Sequence, residues 1–367
     1  MGFLTPYALV ATRPRTGAVA GLRSRLCPVG LVGLLGDLDR VAERCSVPGE
    51  AAGSGYTWDD VDRHDRTWSP QGVACIPSSD VLVVSWYARR RRLHRTPGCR
   101  ISFLDRAHPD GPRYRHVLLV APRRRLGRLT MGSVPVHAGG IAVRGNLLYV
   151  ADTLFGVRLF RLDDVLSVRP LQPDPETTEP AGRAPTRRAL GNRFRAHGYD
   201  YVLPQLMSLR VPLRAGTRRL RHSFLSIGQV DGRPTLVMGE YRRTGGQPRL
   251  ARYPLDTGTG LPTADGRGRT TPLEVFHRQP DRMQGAAVHD STWFVTASSG
   301  EGVPGDLYVG GPGAWVRHGR VLPTGPEDLD WSRPGEELWC VSEWPGRRWI
   351  FPVPTGRWQP AAGSGPS

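Results

Sequence analysis

Several short polar segments carry residues able to do acid–base chemistry. In GPEDLDW, Gly325 to Trp331, the adjacent carboxylates Glu327 and Asp328 open an apolar run. Glu240 in VMGEY and Glu343 in VSEWP close apolar runs, and His137 lies in VHAGGIA. Carboxylates gathered in one place raise one another's pKa, which suits a general acid near neutral pH, and an imidazole beside them can assist. Glu327, Glu343, His137, Asp328 and Glu240 are therefore the candidate catalytic residues. Gln71, Asp152 and Gln284, with the aromatic residues Trp68, Trp86, Tyr241 and Trp344, are the candidates for holding a substrate. Oxygen ligands of this kind can also surround Ca²⁺, but no EF-hand-like loop is present, so the expectation is no cofactor and no metal, with Ca²⁺ as the alternative.

Other chemistries lack their residues. All 50 basic side chains are arginine, so neither a Walker A loop nor a Schiff-base lysine is available. No GxSxG, HExxH or strand-linked GxGxxG occurs. The five cysteines, Cys27, Cys45, Cys75, Cys99 and Cys340, show no zinc spacing; Cys45 with Cys75 is a candidate bridge in an oxidising compartment, and all are inert thiols otherwise. The net charge of +17 accompanies only two asparagines, Asn146 and Asn192, a pattern of coding bias as much as of function. The densest arginine runs, ARRRRLHR from Ala88 and PRRRLGR from Pro122, read as solvated loops, so nucleic acid is not an expected partner. No apolar run reaches the length of a transmembrane helix.

What positions these residues is a repeat. SPQGVACIPSSDVLVVSWY, VHAGGIAVRGNLLYVADT, MQGAAVHDSTWFVTASS and PEDLDWSRPGEELWCVSEW share one plan, and SFLSIGQVDGRPTLVMGEY is a looser copy. Each is an apolar alternation, a polar turn and a returning strand. GCRISFLDR, GVRLFRLDD and QPRLARYPLD then supply a third strand ending in Leu-Asp. The pattern predicts an all-β protein: a β-propeller of four-stranded antiparallel sheets, six-bladed with five as the alternative, against a pair of irregular sandwiches. YDYVLPQLMSLRVP supplies the additional blade, and GYTWDDVD closes the last one. The expected layout is an N-terminal extension over 1–45, with CPVGLVGLLG as a degenerate signal-like segment, and one propeller over 46–358. A Pro-rich loop is inserted at about 168–195, and 359–367 form a tail.

In a blade, the start of the first strand and the end of the second share one edge, so the repeat delivers its punctuation residues to one mouth of the central channel. The competing role for each is structural: acids and amides satisfying backbone N–H groups of the next blade, Gly72, Gly140 and Gly285 allowing close packing, and Asp105, Asp163 and Asp256 forming turns.

WSPQGVA…LVVSWY, YRHVLLV, VHAGGIAV…LYVADT, YDYVLPQ, LVMGEYRR…ARYPLD, MQGAAV and GPEDLDW…LWCVSEWPGRR together resemble a group of propeller-like secreted proteins of Streptomyces and related actinobacteria, over roughly residues 45 to 358. The resemblance implies export, whereas the first 45 residues lack a clean cleavage site, which favours the cytoplasm. Three functions stay open: a cofactor-independent hydrolase, lyase or cyclase acting on a small organic molecule; a monomeric binder of a small molecule, glycan or peptide; and an interaction scaffold.

Overall fold

A computed structural model describes residues 5–89, 98–169, 196–212, 220–289, 291–332 and 337–358. Most of the Pro-rich segment and the tail lie outside the described residues.

The apolar runs form β-strands whose two faces are covered by the sheets on either side of a blade, so Trp68–Cys75 and Val81–Ala88 are buried along nearly their whole length. The protein is a β-propeller. The first blade contains Trp68–Cys75, Val81–Ala88, Cys99–Asp105 and Arg113–Arg125, and the second contains Ile141–Arg144, Leu147–Asp152, Gly156–Arg161 and Tyr201–Arg210. Phe224–Val230, Arg233–Gly239, Leu250–Pro254 and Glu274–Phe276 make the third; Met283–His289, Thr292–Ala297, Pro304–Gly311 and Ala314–Thr324 make the fourth. The fifth is Pro326–Ser332, Glu337–Ser342, Trp349–Pro354 and, from early in the chain, Gly55–Thr57. The inner strand of each blade lies beside that of the next, and the fifth lies beside the first, so the described residues close a ring of five.

The sixth blade expected from Tyr201–Arg210 is absent from that ring. This strand pairs antiparallel with Gly156–Arg161 as the outer strand of blade 2, and parallel with Arg113–Arg125 of blade 1. Its apolar run is continuous because the join between two blades buries it, a setting that imitates an inner strand. The closing strand does come from GYTWDDVD: Thr57 pairs with Trp349 and Tyr56 with Ile350.

Glycines set the blade spacing at the channel. A Cβ on Gly285 would stand 2.5 Å from the backbone nitrogen of Leu329, and one on Gly140 2.4 Å from that of Leu225. Residues 5–45 are built into the propeller. Leu9–Ala11 pairs with Tyr201–Arg210, helix Thr16–Arg23 buries Val19 and Leu22, and Glu43–Cys45 pairs with Gly55–Thr57. The signal-like CPVGLVGLLG contains the short helix Gly30–Leu35, which buries Leu34.

Candidate functional site

The antiparallel register sets Pro326 opposite Ser342 and Pro70 opposite Trp86, so first-strand starts and second-strand ends meet at one mouth. There Gln71 Nε2 donates to Glu343 Oε2 at 3.2 Å, and Gln284 Nε2 donates to Glu327 Oε1 at 3.2 Å. Two carboxyl groups from blade 5 are thus each held by an amide from a flanking blade. Glu327 is almost completely buried, whereas the Glu343 side chain is 14% exposed. Burial, then the charges of Glu343 and Asp328, raise the pKa of Glu327 well above the carboxylate range. Burial also raises Glu343, but Arg89, 3.9 Å away, and the Gln71 amide oppose it. The two acids are pushed apart in strength: Glu327 keeps its proton while Glu343 gives one up more readily.

His137 stands on the wall of the mouth with its ring 4.3 Å from that of Tyr87. Packing of protein around the ring lowers its pKa, which leaves a neutral imidazole at pH 7. Trp344 packs on Gly325 and receives the Arg89 guanidinium over its ring at 5.9 Å. Its buried Nε1–H has no acceptor among the described residues, and neither does Asp328 Oδ1 have a donor. Asp328 Oδ2 accepts from the backbone N–H of Ile141 at 3.0 Å and, at 3.4 Å, of Val73, tying the inner strands of blades 5, 1 and 2 together. That is the structural role open to an acid at this position, and it removes Asp328 from the acid–base pair.

Three further candidates belong elsewhere. Trp86 is fully buried, donates to Ser102 Oγ at 2.7 Å and packs edge-on to Trp58, so it cannot reach a ligand at the mouth. Trp68 lies in the same core under the Arg100 guanidinium. Glu240 is fully buried; burial raises its pKa, but hydrogen bonds from Arg249 and from the backbone N–H of Arg221 outweigh this and lower it. Arg249 Nε and Nη2 both donate to Glu240 at 2.9 Å and Arg242 adds a third contact at 3.0 Å, so its oxygens are committed to a structural ion cluster. Asp152 pairs with Arg158 at 2.8 Å, and Tyr241 is half-buried beside Glu240. Asp105 and Asp256 accept from backbone N–H groups of Ala107 and Thr259, as turn residues do.

Tyr87, one of the aromatic residues able to pack on a ligand, joins the site, and so does Arg89, which the sequence reading placed in a solvated loop. Alternation along Val81–Ala88 puts Ser85 and Tyr87 toward blade 2, where Ser85 Oγ donates to Ala138 O at 2.7 Å, and puts Trp86 on the other face. A hydrogen-bonded series was also missed. The indole of Trp86 can only donate and an ionised Asp62 can only accept, so protons run from Trp86 to Ser102, from Ser102 Oγ to His116 Nδ1 (2.8 Å), and from His116 Nε2 to Asp62 (2.8 Å). Burial, then the charge of Arg100, lowers the pKa of His116 to about 4, in keeping with this neutral tautomer. Although it has the order Ser–His–Asp, the series is closed to solvent and Asp62 also receives Arg100, Arg40 and Tyr114. It locks the helix Asp60–His64 onto blade 1.

The channel's other end opens into a cavity of about 1220 Å³ between the first-to-second-strand turns, with Asp330, Trp331, His289 and Gln229 among its lining. Polar groups in its lining serve local structure: Cys75 N–H donates to Asp330 at 2.7 Å and Arg144 donates to Thr257 O at 3.1 Å. Converging acids, amides and an imidazole occur at the opposite mouth, and we place the candidate site there. Among the described residues no group of three or more His, Cys, Asp or Glu side chains could hold a metal ion, and no helix is long and apolar enough to cross a membrane. All five cysteines are free thiols, so Cys45 and Cys75 form no bridge: Cys45 lies on an outer strand of blade 5 and Cys75 on the inner strand of blade 1.

No protein-family model and no curated protein matches the chain. Among solved structures it is similar to a gluconolactonase from Xanthomonas campestris, with 15% identity over 87% of this chain and 88% of that one and a TM-score of 0.41. It is also similar to a GH43_1 enzyme from Xanthomonas citri complexed with xylose, at 11% identity over 89% and 93% of the two chains with a TM-score of 0.38. The Dos1 propeller gives 10% identity over 79% and 72% and a TM-score of 0.34. Likenesses at this level bear on neither substrate nor mechanism.

Proposed function

We propose that the protein is a cofactor-independent hydrolase acting at this mouth on a small hydroxylated organic molecule. One observation carries the reading: Glu327 and Glu343, each fixed by a glutamine amide, form a coupled pair of unequal acids at an opening to solvent. Glu327 donates its proton to the leaving oxygen as general acid. Glu343, more exposed and facing Arg89, takes a proton from the attacking water. The unsatisfied Trp344 N–H offers a donor to a ligand rich in hydroxyl groups. His137 and Tyr87 line the wall beside it.

The test is turnover of chromogenic glycosides, esters and lactones, together with mass spectrometry of a metabolite extract, by the unaltered protein and by Glu327→Gln and Glu343→Gln. Loss of either carboxyl group should lower kcat by roughly 10²- to 10⁴-fold. Rate against pH should be bell-shaped, falling at low pH as Glu343 is protonated and at high pH as Glu327 ionises. Glu327→Gln removes a carboxyl group that resists ionisation, so it should fold as stably as the parent above neutral pH. Full activity in Glu327→Gln would refute the assignment. Retention of a compound without conversion, lost in both variants, would make the mouth a binding site instead.

A further inference from the structure

The arginine run from Pro122 does not form a loose loop. Arg113–Arg125 and Arg128–Ser133 pair as a hairpin with Arg125 opposite Arg128, leaving Leu126 and Gly127 as a two-residue turn. Both turn residues have positive φ, 47° and 72°, a combination for which Asn-Gly is preferred and a branched aliphatic side chain is disfavoured. Leu126 is 95% exposed. This leucine therefore serves neither backbone nor core.

The surroundings are cationic. Arg123, Arg124 and Arg128 are exposed on the hairpin. Tyr201–Arg210 runs parallel to Arg113–Arg125 with Val202 opposite Leu118, which carries the exposed Arg210 to the level of the hairpin tip. Arg15 lies between the two strands, its backbone N–H donating to Leu206 O and its guanidinium to Pro122 O at 3.1 Å. Among the described residues none of these five arginines has a carboxylate within 4.0 Å, and Arg123 and Arg210 are close enough to add to the lowering of Arg15 by burial. Gly156 pairs with Arg210, so Phe155, 54% exposed, stands at the same level. A fourth strand ends where a first strand begins, which puts this corner on the face that carries the Glu327 mouth.

We infer that this corner docks on an anionic lipid bilayer, with the arginines on headgroup phosphates and Leu126 and Phe155 entering the boundary between headgroups and acyl chains. Charge complementarity selects an anionic partner. The exposed apolar tip selects a bilayer over nucleic acid, which would engage the arginines and leave Leu126 idle.

The test is co-sedimentation of the full chain with vesicles of phosphatidylcholine alone or with phosphatidylglycerol added, at low and high salt. Binding is expected only with phosphatidylglycerol and should weaken as salt rises. Replacing Arg123, Arg124 and Arg128 by serine should weaken it about 100-fold, from roughly fivefold per arginine at an anionic surface. Leu126→Asn keeps the charge and suits the positive φ, so it should leave the melting temperature unchanged and still weaken vesicle binding about tenfold. Failure of the parent to bind anionic vesicles, or binding indifferent to Leu126→Asn, overturns the proposal. Binding to duplex DNA as tight as to vesicles, and equal in parent and Leu126→Asn, would likewise overturn it and assign the corner to polyanions.

Discussion

Asp330 makes the pH dependence of this fold measurable at a single atom. It is buried on the inner strand Pro326–Ser332 and accepts the Cys75 N–H at 2.7 Å. Burial raises its pKa from 3.8 to about 7, against the opposing hydrogen bonds from the Cys75 and Trp331 N–H groups. A folded-state pKa above the unfolded one means that the native protein holds the proton more tightly, so stability is lost as pH rises from about 4 through about 7. At 1.36 kcal/mol per pH unit, the rise from 3.8 to about 7 corresponds to a loss of about 4 kcal/mol. An asparagine side chain at this position would keep an oxygen for the Cys75 N–H and cannot ionise. Urea unfolding of the parent and Asp330→Asn, followed across that pH range, should show the gap in unfolding free energy moving by ~4 kcal/mol in favour of the variant toward alkaline pH. Groups remote from Asp330 contribute equally to both proteins and cancel, whereas Asp328 and Cys75, whose pKa values the Asp330 charge raises, ionise more readily in the variant and add to the gap in the same direction. Parallel curves would refute the reasoning and show that water from the cavity beside Asp330 solvates its charge.

Two stability predictions follow from packing and pairing. Glu240→Gln removes the carboxylate that accepts from Arg249 Nε and Nη2 and should cost about 3–5 kcal/mol in urea unfolding, while Arg249→Met in the same chain should recover much of it. A Cβ at Gly285 would meet Leu329 N at 2.5 Å and Asp328 Cα at 2.7 Å, so Gly285→Ala should destabilise the join of blades 4 and 5 by roughly 1–3 kcal/mol and lower the melting temperature.

The propeller was legible because its hairpins repeat, each an apolar run, a polar turn and a returning apolar strand. The number of blades was not, since Tyr201–Arg210 is buried by a parallel pairing with blade 1 that leaves no trace in its own residues. The mouth was legible in part. Register brought Glu327, Glu343, Gln71 and Gln284 together, but a shift of one residue separates Tyr87, which faces the site, from Trp86, which faces the core. Glu240 shows another limit: its neutralising partner lies nine residues further on, and sequence gives no sign that the two side chains meet. The Asp62–His116 link, spanning 54 residues, depends wholly on the fold and could not have been foreseen.

The strand Gly55–Thr57 pairs on one side with Glu43–Cys45 and on the other with Trp349–Pro354, the last strand among the described residues. A ribosome must therefore deliver Trp349 before Thr57 has its second strand partner, and until then the ring stays unclosed. During that interval Tyr56, buried in the finished protein, has Arg44 as a strand partner but lacks Ile350 and the Trp339 ring, 6.1 Å from its own. Bringing such distant segments together is slow, because chain entropy must be spent before any contact compensates for it. The same latch that closes the finished ring thus leaves one edge of Gly55–Thr57 uncovered until Trp349–Pro354 has been made.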